Sequence, residues 1–99
     1  MKKQSWPFHD NTNVVTISTK NIFFKKEPIL YVYHGLDDGM WTFFSDSNPS
    51  QEDATVVSLK EVYALDQSIG LLCDMPIGYC AYRASPSAKW TIRKYSEES

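Results

Sequence analysis

Ile29-Leu-Tyr-Val-Tyr-His-Gly-Leu36 and Met40-Trp-Thr-Phe-Phe44 are two apolar stretches separated by Asp37-Asp38-Gly39. Aromatic and β-branched side chains favour extended backbone, and Asp-Gly is the preferred centre of a two-residue type I′ turn, so the segment reads as a β-hairpin. With Asp38 and Gly39 as the central pair, Asp37 faces Met40, Leu36 faces Trp41 and His34 faces Phe43. Leu30, Val32, His34, Leu36, Trp41 and Phe43 then share one face of the ribbon. Ile29, Tyr31, Tyr33, Thr42 and Phe44 share the other. Both faces are apolar, which places the hairpin at the centre of a sheet or gives one face something to bind.

On the N-terminal side, Val14-Val-Thr-Ile-Ser18 is rich in β-branched residues and predicts a first strand. Thr19 to Glu27 predicts a short helical turn or a bent edge segment, ended by Pro28. Residues 1–13 hold Trp6 and Phe8 around Pro7, which forbids a regular helix. Two large rings so near a terminus predict an arm docked on the body. On the C-terminal side, Ser45 to Ala54 is a polar loop and Thr55-Val-Val57 a short buried strand. Ser58-Leu-Lys-Glu61 has the pattern of a capping box opening a helix, with Leu59, Val62 and Tyr63 on one side. Leu65, Ile69 and Leu72 continue that stripe, Asp66 is placed to cap a restart, and Asp74-Met-Pro76 ends it. Ile77–Ala84 and Lys89–Lys94 predict two antiparallel strands around a Ser85-Pro-Ser87 turn. Residues 96–99 read as a solvated, flexible tail. The sum is an α+β fold: a single mostly antiparallel sheet of about five strands with one helical region packed on one face, residues 1–99 forming one domain.

Composition bounds the function. In 99 residues, 42% are hydrophobic and 14% aromatic, which excludes intrinsic disorder. A net charge of -2 argues against coating nucleic acid. No apolar run reaches the roughly 20 residues that span a bilayer. No apolar segment follows the basic start either, so the expected location is the cytoplasm. Cys73 and Cys80 match neither a Cys-x-x-Cys element nor a disulfide framework and read as small semi-buried hydrophobes.

The sequence holds no catalytic signature. His9 and His34 are its only histidines, and four glycines cannot build a phosphate cradle. No catalytic residue, metal ligand or cofactor is expected. His34 reads as a strand histidine that satisfies a neighbour, with Asp37 and Asp38 in reach at the hairpin tip. Asp74 reads as a carboxylate that ties down backbone amides. Charge is more informative. Between Lys26 and Lys60 there are acids (Glu27, Asp37, Asp38, Asp46, Glu52, Asp53) and no Lys or Arg; between Asp74 and Glu97 there are Arg83, Lys89, Arg93 and Lys94 and no acid. Such charges decorate solvent faces and complement one another across a fold, or attract a partner of opposite sign.

Several motifs carry a resemblance. They are Trp6-Pro7-Phe8-x-Asp10 with Asn13, Pro28-Ile-Leu before His34 and an Asp-Gly turn, Trp41-x-Phe43, Val56-Val-Ser-Leu59, and Asp66-x-Ser68-Ile69. Asp74-Met-Pro76-x-Gly78-Tyr79-x-Ala81-x-Arg83 and Trp90 complete the set. Together, over about residues 6–93, the chain resembles a family of small bacterial proteins of unknown function, some relatives of which are immunity proteins of polymorphic toxin systems. Tyr79 and Met75 depart from the Trp and Leu of that pattern. The resemblance implies a non-enzymatic bacterial binding protein that neutralises a cognate toxin, and the acidic run from Glu27 to Asp53 points to a basic one.

The expected partner-facing residues are Asp37, Asp38, Trp41, Asp46, Glu52 and Asp53, an aromatic anchor ringed by acids. A monomer or weak dimer is expected, with no membrane or nucleic-acid partner. The competing reading is a small-molecule or nucleotide pocket in which Tyr79, Arg83, Trp90 and Arg93 stack on and clamp a planar anion.

Overall fold

The computed structural model describes residues 6–36, 39–46 and 51–95. The chain runs β1 (Val15–Thr19), α1 (Lys20–Phe24), β2 (Tyr31–His34), β3 (Trp41–Phe44), a 3-10 turn (Gln51–Asp53), β4 (Ala54–Ser58), α2 (Leu59–Leu65), a 3-10 segment (Gln67–Leu72), β5 (Tyr79–Tyr82) and β6 (Thr91–Lys94). The strands form one six-stranded sheet in the order β4-β1-β3-β2-β5-β6. Every pairing is antiparallel except β1 with β3. The architecture is α+β as expected, with the hairpin strands β2 and β3 at the centre and one strand more than the expected five.

One face of the sheet is covered. Thr16, Ser18, Val32, Trp41, Phe43 and Ala81 point to this side and are buried with Leu59 and Val62 of α2 and with Ile69 and Leu72 of the 3-10 segment. The capping box forms: Glu61 N–H donates to Ser58 Oγ at 3.2 Å, and Ser58 N–H to Glu61 Oε1 at 2.9 Å. Asp66 caps the restart by accepting from Ser68 N–H at 3.0 Å. Leu65 leaves the expected stripe and is 43% exposed. From Trp6 on, the N-terminal segment lies against the body of the domain, while residues 1–5 of the expected arm lie outside the described residues. Phe8 is buried edge-on against Trp41 and Tyr63, and Trp6 donates to the Asp10 carbonyl at 2.7 Å. Pro7 lies against Gly70, where a Cβ would come within 3.1 Å of its ring and 3.0 Å of the Tyr63 ring, so a side chain at this crossing would push those rings back by a few tenths of an ångström.

Three expectations are corrected. The hairpin pairs His34 with Trp41 and Val32 with Phe43, two residues away from the type I′ register. Gly35 N–H donates to the Met40 carbonyl and Gly39 N–H to the Gly35 carbonyl, so the ladder closes at Gly35 and Met40 and the turn is longer than two residues, with Gly39 at φ +69°. Tertiary packing decides this: the observed register stacks His34 on Trp41 at 3.8 Å and brings Trp41 under Phe8. The Thr55–Val57 stretch is not a buried strand. It lies in the edge strand β4, where Val56 is 65% exposed. Asp74 does not tie down backbone amides, because its carboxylate accepts from His9 Nε2 at 2.9 Å in a pair whose side chains are 79% and 85% exposed. Residues 96–99, read as a flexible tail, lie outside the described residues.

Candidate functional site

Among the described residues, the second face of the sheet has no helix over it. Strand alternation puts Val15, Ile17, Val56, Thr42, Phe44, Tyr31, Tyr33, Cys80, Tyr82 and Arg93 on this side, and the register carries them across all six strands. None of them is buried. The rings are ordered against one another: Tyr33 meets Phe44 at 6.1 Å and Tyr95 edge-on at 5.6 Å, and Tyr95 Oη accepts from Leu36 N–H at 3.3 Å. Partial burial, then Cys80, Tyr31 and Tyr95 nearby, raise the Tyr33 phenol above its ordinary value. Burial likewise raises the Cys80 thiol, with Arg93 opposing, so Cys80 is a poor nucleophile and a half-buried hydrophobe as expected.

The expected partner-facing residues are not brought together. Trp41 is the clearest correction: it is 1% exposed on the covered face, its indole N–H donating to Asp10 Oδ1 at 3.3 Å, and it cannot reach a partner. Asp46, Glu52 and Asp53 gather at the end of the sheet where β3 finishes and β4 starts. Asp37 and Asp38 lie outside the described residues; Leu36 and Gly39, which flank them, sit at the opposite end, beside Trp41. Nor is the first end purely acidic. Thr19 pairs with Ala54, so Lys20 begins where Asp53 ends, and Ser45 hydroxyl donates to Glu27 from the same end at 2.7 Å.

The competing pocket is half assembled. Arg83 stacks over Trp90, guanidinium carbon to ring centroid 4.1 Å. But Nε donates to the Ile29 carbonyl at 3.1 Å, Nη1 to Ser68 Oγ at 2.9 Å and the Pro86 carbonyl at 3.1 Å, and Nη2 to the Ile29 carbonyl at 2.9 Å and Asp66 Oδ2 at 2.7 Å. All five guanidinium N–H groups are therefore engaged inside the protein and none is left for a ligand. Trp90 N–H is spent on the Ser68 carbonyl at 3.3 Å. Tyr79 shares the covered side with Ala81, and Arg93, opposite Cys80, emerges on the uncovered side. Arg83 is thus a staple tying β5, the segment before β2 and the 3-10 segment together, and the four residues do not converge. His34 satisfies a neighbour as expected, but that neighbour is the Met75 carbonyl, which accepts from Nδ1 at 2.8 Å.

Two residues outside the sequence-based candidates matter here. Leu71 (78% exposed) and Ile92 (48% exposed) line a groove of about 530 Å³ with Trp90, Ala88 and Lys89 at the outer edge of the sheet. Their signal in the sequence is slight: Ile92 is one apolar residue in a basic strand, and Leu71 follows a glycine in a helical stripe. Among the described residues no cluster of His, Cys, Asp and Glu could hold a metal ion, and no helix is long and apolar enough to cross a membrane. Compared with protein families, with curated proteins and with solved structures, the chain matches none.

Proposed function

We propose that this chain is a non-enzymatic cytoplasmic binding protein whose partner is another protein, in the manner of an immunity protein that neutralises a basic toxin. One observation carries the reading. The uncovered sheet face presents Val15, Val56, Phe44, Tyr33 and Tyr82 on a rigid hydrogen-bonded frame, and aromatic anchors on such a frame lose little conformational freedom when they bind. Exposed apolar residues clustered on one face mark interaction surfaces, whereas scattered ones do not. Asp46, Glu52 and Asp53 stand at one end of this face and would speed the approach of a basic partner.

The test is co-expression with the product of the neighbouring gene. Growth rescued by the wild-type chain should be lost with Val56→Arg combined with Tyr82→Arg, two exposed positions where the fold tolerates change. Glu52→Lys with Asp53→Lys should slow association and flatten its dependence on salt. Rescue that survives the face variant overturns the assignment of this surface. A neighbouring product that neither harms growth nor binds overturns the immunity reading.

A further inference from the structure

From the opposite edge of the sheet we infer a second docking site, independent of the reading above: β6 accepts an extended acidic peptide segment of another protein as a seventh strand. Three observations converge on it. The first is backbone geometry. Tyr95 N–H donates to the Gly78 carbonyl, which makes Tyr95, Arg93 and Thr91 the positions that bond β5. In an antiparallel ladder the intervening residues turn their N–H and C=O outward, so Ile92 and Lys94 offer two donors and two acceptors along an edge with no neighbour among the described residues. All four residues of β6 are exposed.

The second observation is the groove beside that edge. Ile92 points to the covered side, where it borders the cavity lined by Leu71, Trp90 and Ala88. A strand laid along β6 would place an apolar side chain there on alternate residues. The third is charge. Lys89, Arg93 and Lys94 are exposed at this edge, and no Asp or Glu occurs between Asp74 and Glu97. Arg93 projects from the uncovered side, so the matching residues of the incoming strand, those opposite the apolar ones, would be Glu or Asp. A second copy of this chain paired β6 to β6 would set these cations against one another, which disfavours self-association here. A polynucleotide would meet the charge but not the alternation of outward donors and acceptors, which matches peptide backbone and not a row of phosphates.

The experiment uses the whole chain and a fluorescein-labelled peptide alternating Glu and Val. Two controls accompany it: the same composition with proline at every third position, and a Lys-Val counterpart. The alternating acidic peptide should bind at least about tenfold tighter than either control, more weakly as salt rises. In amide NMR spectra the shifts should centre on Ile92 and Lys94. Lys89→Glu with Arg93→Glu should reverse the preference between the acidic and basic peptides while the spectrum elsewhere is unchanged. Ile92→Pro, which removes an outward N–H without touching the β5 ladder, should abolish the difference between the alternating and proline-broken peptides. Equal binding of the proline-broken peptide, displacement by homopolymeric RNA as effective as by peptide, or a dimer through β6 in sedimentation would each overturn the inference. Survival of partner rescue in the Lys89→Glu, Arg93→Glu variant would leave the previous reading untouched.

Discussion

On the covered face of β2 and β3, Val32, Trp41 and Phe43 are buried under the N-terminal arm, α2 and the 3-10 segment. On the other face Tyr31, Tyr33, Thr42 and Phe44 remain half-exposed against one another and Tyr95. Both rows are apolar enough to form a core, and they share the same four-residue strands. What separates them is the rest of the chain, because α2 and the 3-10 segment Gln67–Leu72 both pack on one side. The covered side even takes in polar groups, Thr16, Ser18 and Arg83, while the aromatic rings opposite stay within reach of water. Burial in so small a domain follows the supply of covering elements as much as the apolarity of the residues covered.

The sharpest way to break this contrast is Trp41→Ala. Removing a fully buried indole stacked on His34 and met edge-on by Phe8 should cost about 4 kcal/mol in urea unfolding. A loss below about 1.5 kcal/mol would mean that the two faces do not differ in energy as they differ in burial. Arg83→Met comes next, at about 3 kcal/mol, because it takes the donors from Asp66 Oδ2 and from the Ile29 and Pro86 carbonyls while keeping a flexible chain over Trp90. Circular dichroism melts should show it as a large fall in Tm.

On the uncovered side Tyr33→Ala should cost only about 1.5 kcal/mol, since its ring is half in water to begin with. Tyr33 also sharpens the comparison through pH. Its neutral form is favoured in the fold, so the stability it lends is whole below the unfolded phenol's value near 10.0 and is lost as pH climbs from there to the higher folded value. Tyr33→Phe should therefore leave neutral stability unchanged and flatten the alkaline decline in a pH series of unfolding curves. Smallest is Ser58→Ala, at about 1 kcal/mol, which removes one cap of the helix that makes the covered side covered. Association with any partner should not change, which surface plasmon resonance would check.

Much of this arrangement is legible in the sequence. The hairpin's side-chain partition survives within the strands although its register does not: Asp-Gly points to a two-residue turn, the chain uses a longer one, and a slip of two preserves which strand residues share a face. Ile29, expected beside Tyr31 and Tyr33, is buried in the core instead. Ser58, Glu61 and Asp66 are readable because capping is local chemistry. Trp41 is not, since its apolar row looks like that of Tyr33 until the arm and α2 choose a side. Arg83 is misread for a similar reason: its partners Ile29, Asp66, Ser68 and Pro86 are scattered along the chain, and only folding shows that its donors are already taken. Of the acidic run from Glu27 to Asp53, the described acids Glu27, Asp46, Glu52 and Asp53 lie at one end of the sheet with Lys20 beside them, a mixing of signs that the run of acids in the sequence does not show.

The placement of β1 has a consequence for how the molecule assembles. β2 with β3, and β5 with β6, are hairpins of near neighbours, able to close in roughly 1–10 μs. β1 instead sits between β3 and β4, with Ile17 beside Thr42 in parallel and Thr19 beside Ala54 in antiparallel sense. Each of those joins closes a wide loop of chain whose entropy must be surrendered before the contacts repay it. β1 thus has no seat until residues near Thr42 and Ala54 are present, and it ties β4 to the β2–β3 hairpin, while the widest closure, Tyr31 beside Tyr82, is the one that joins the two hairpins into a single sheet.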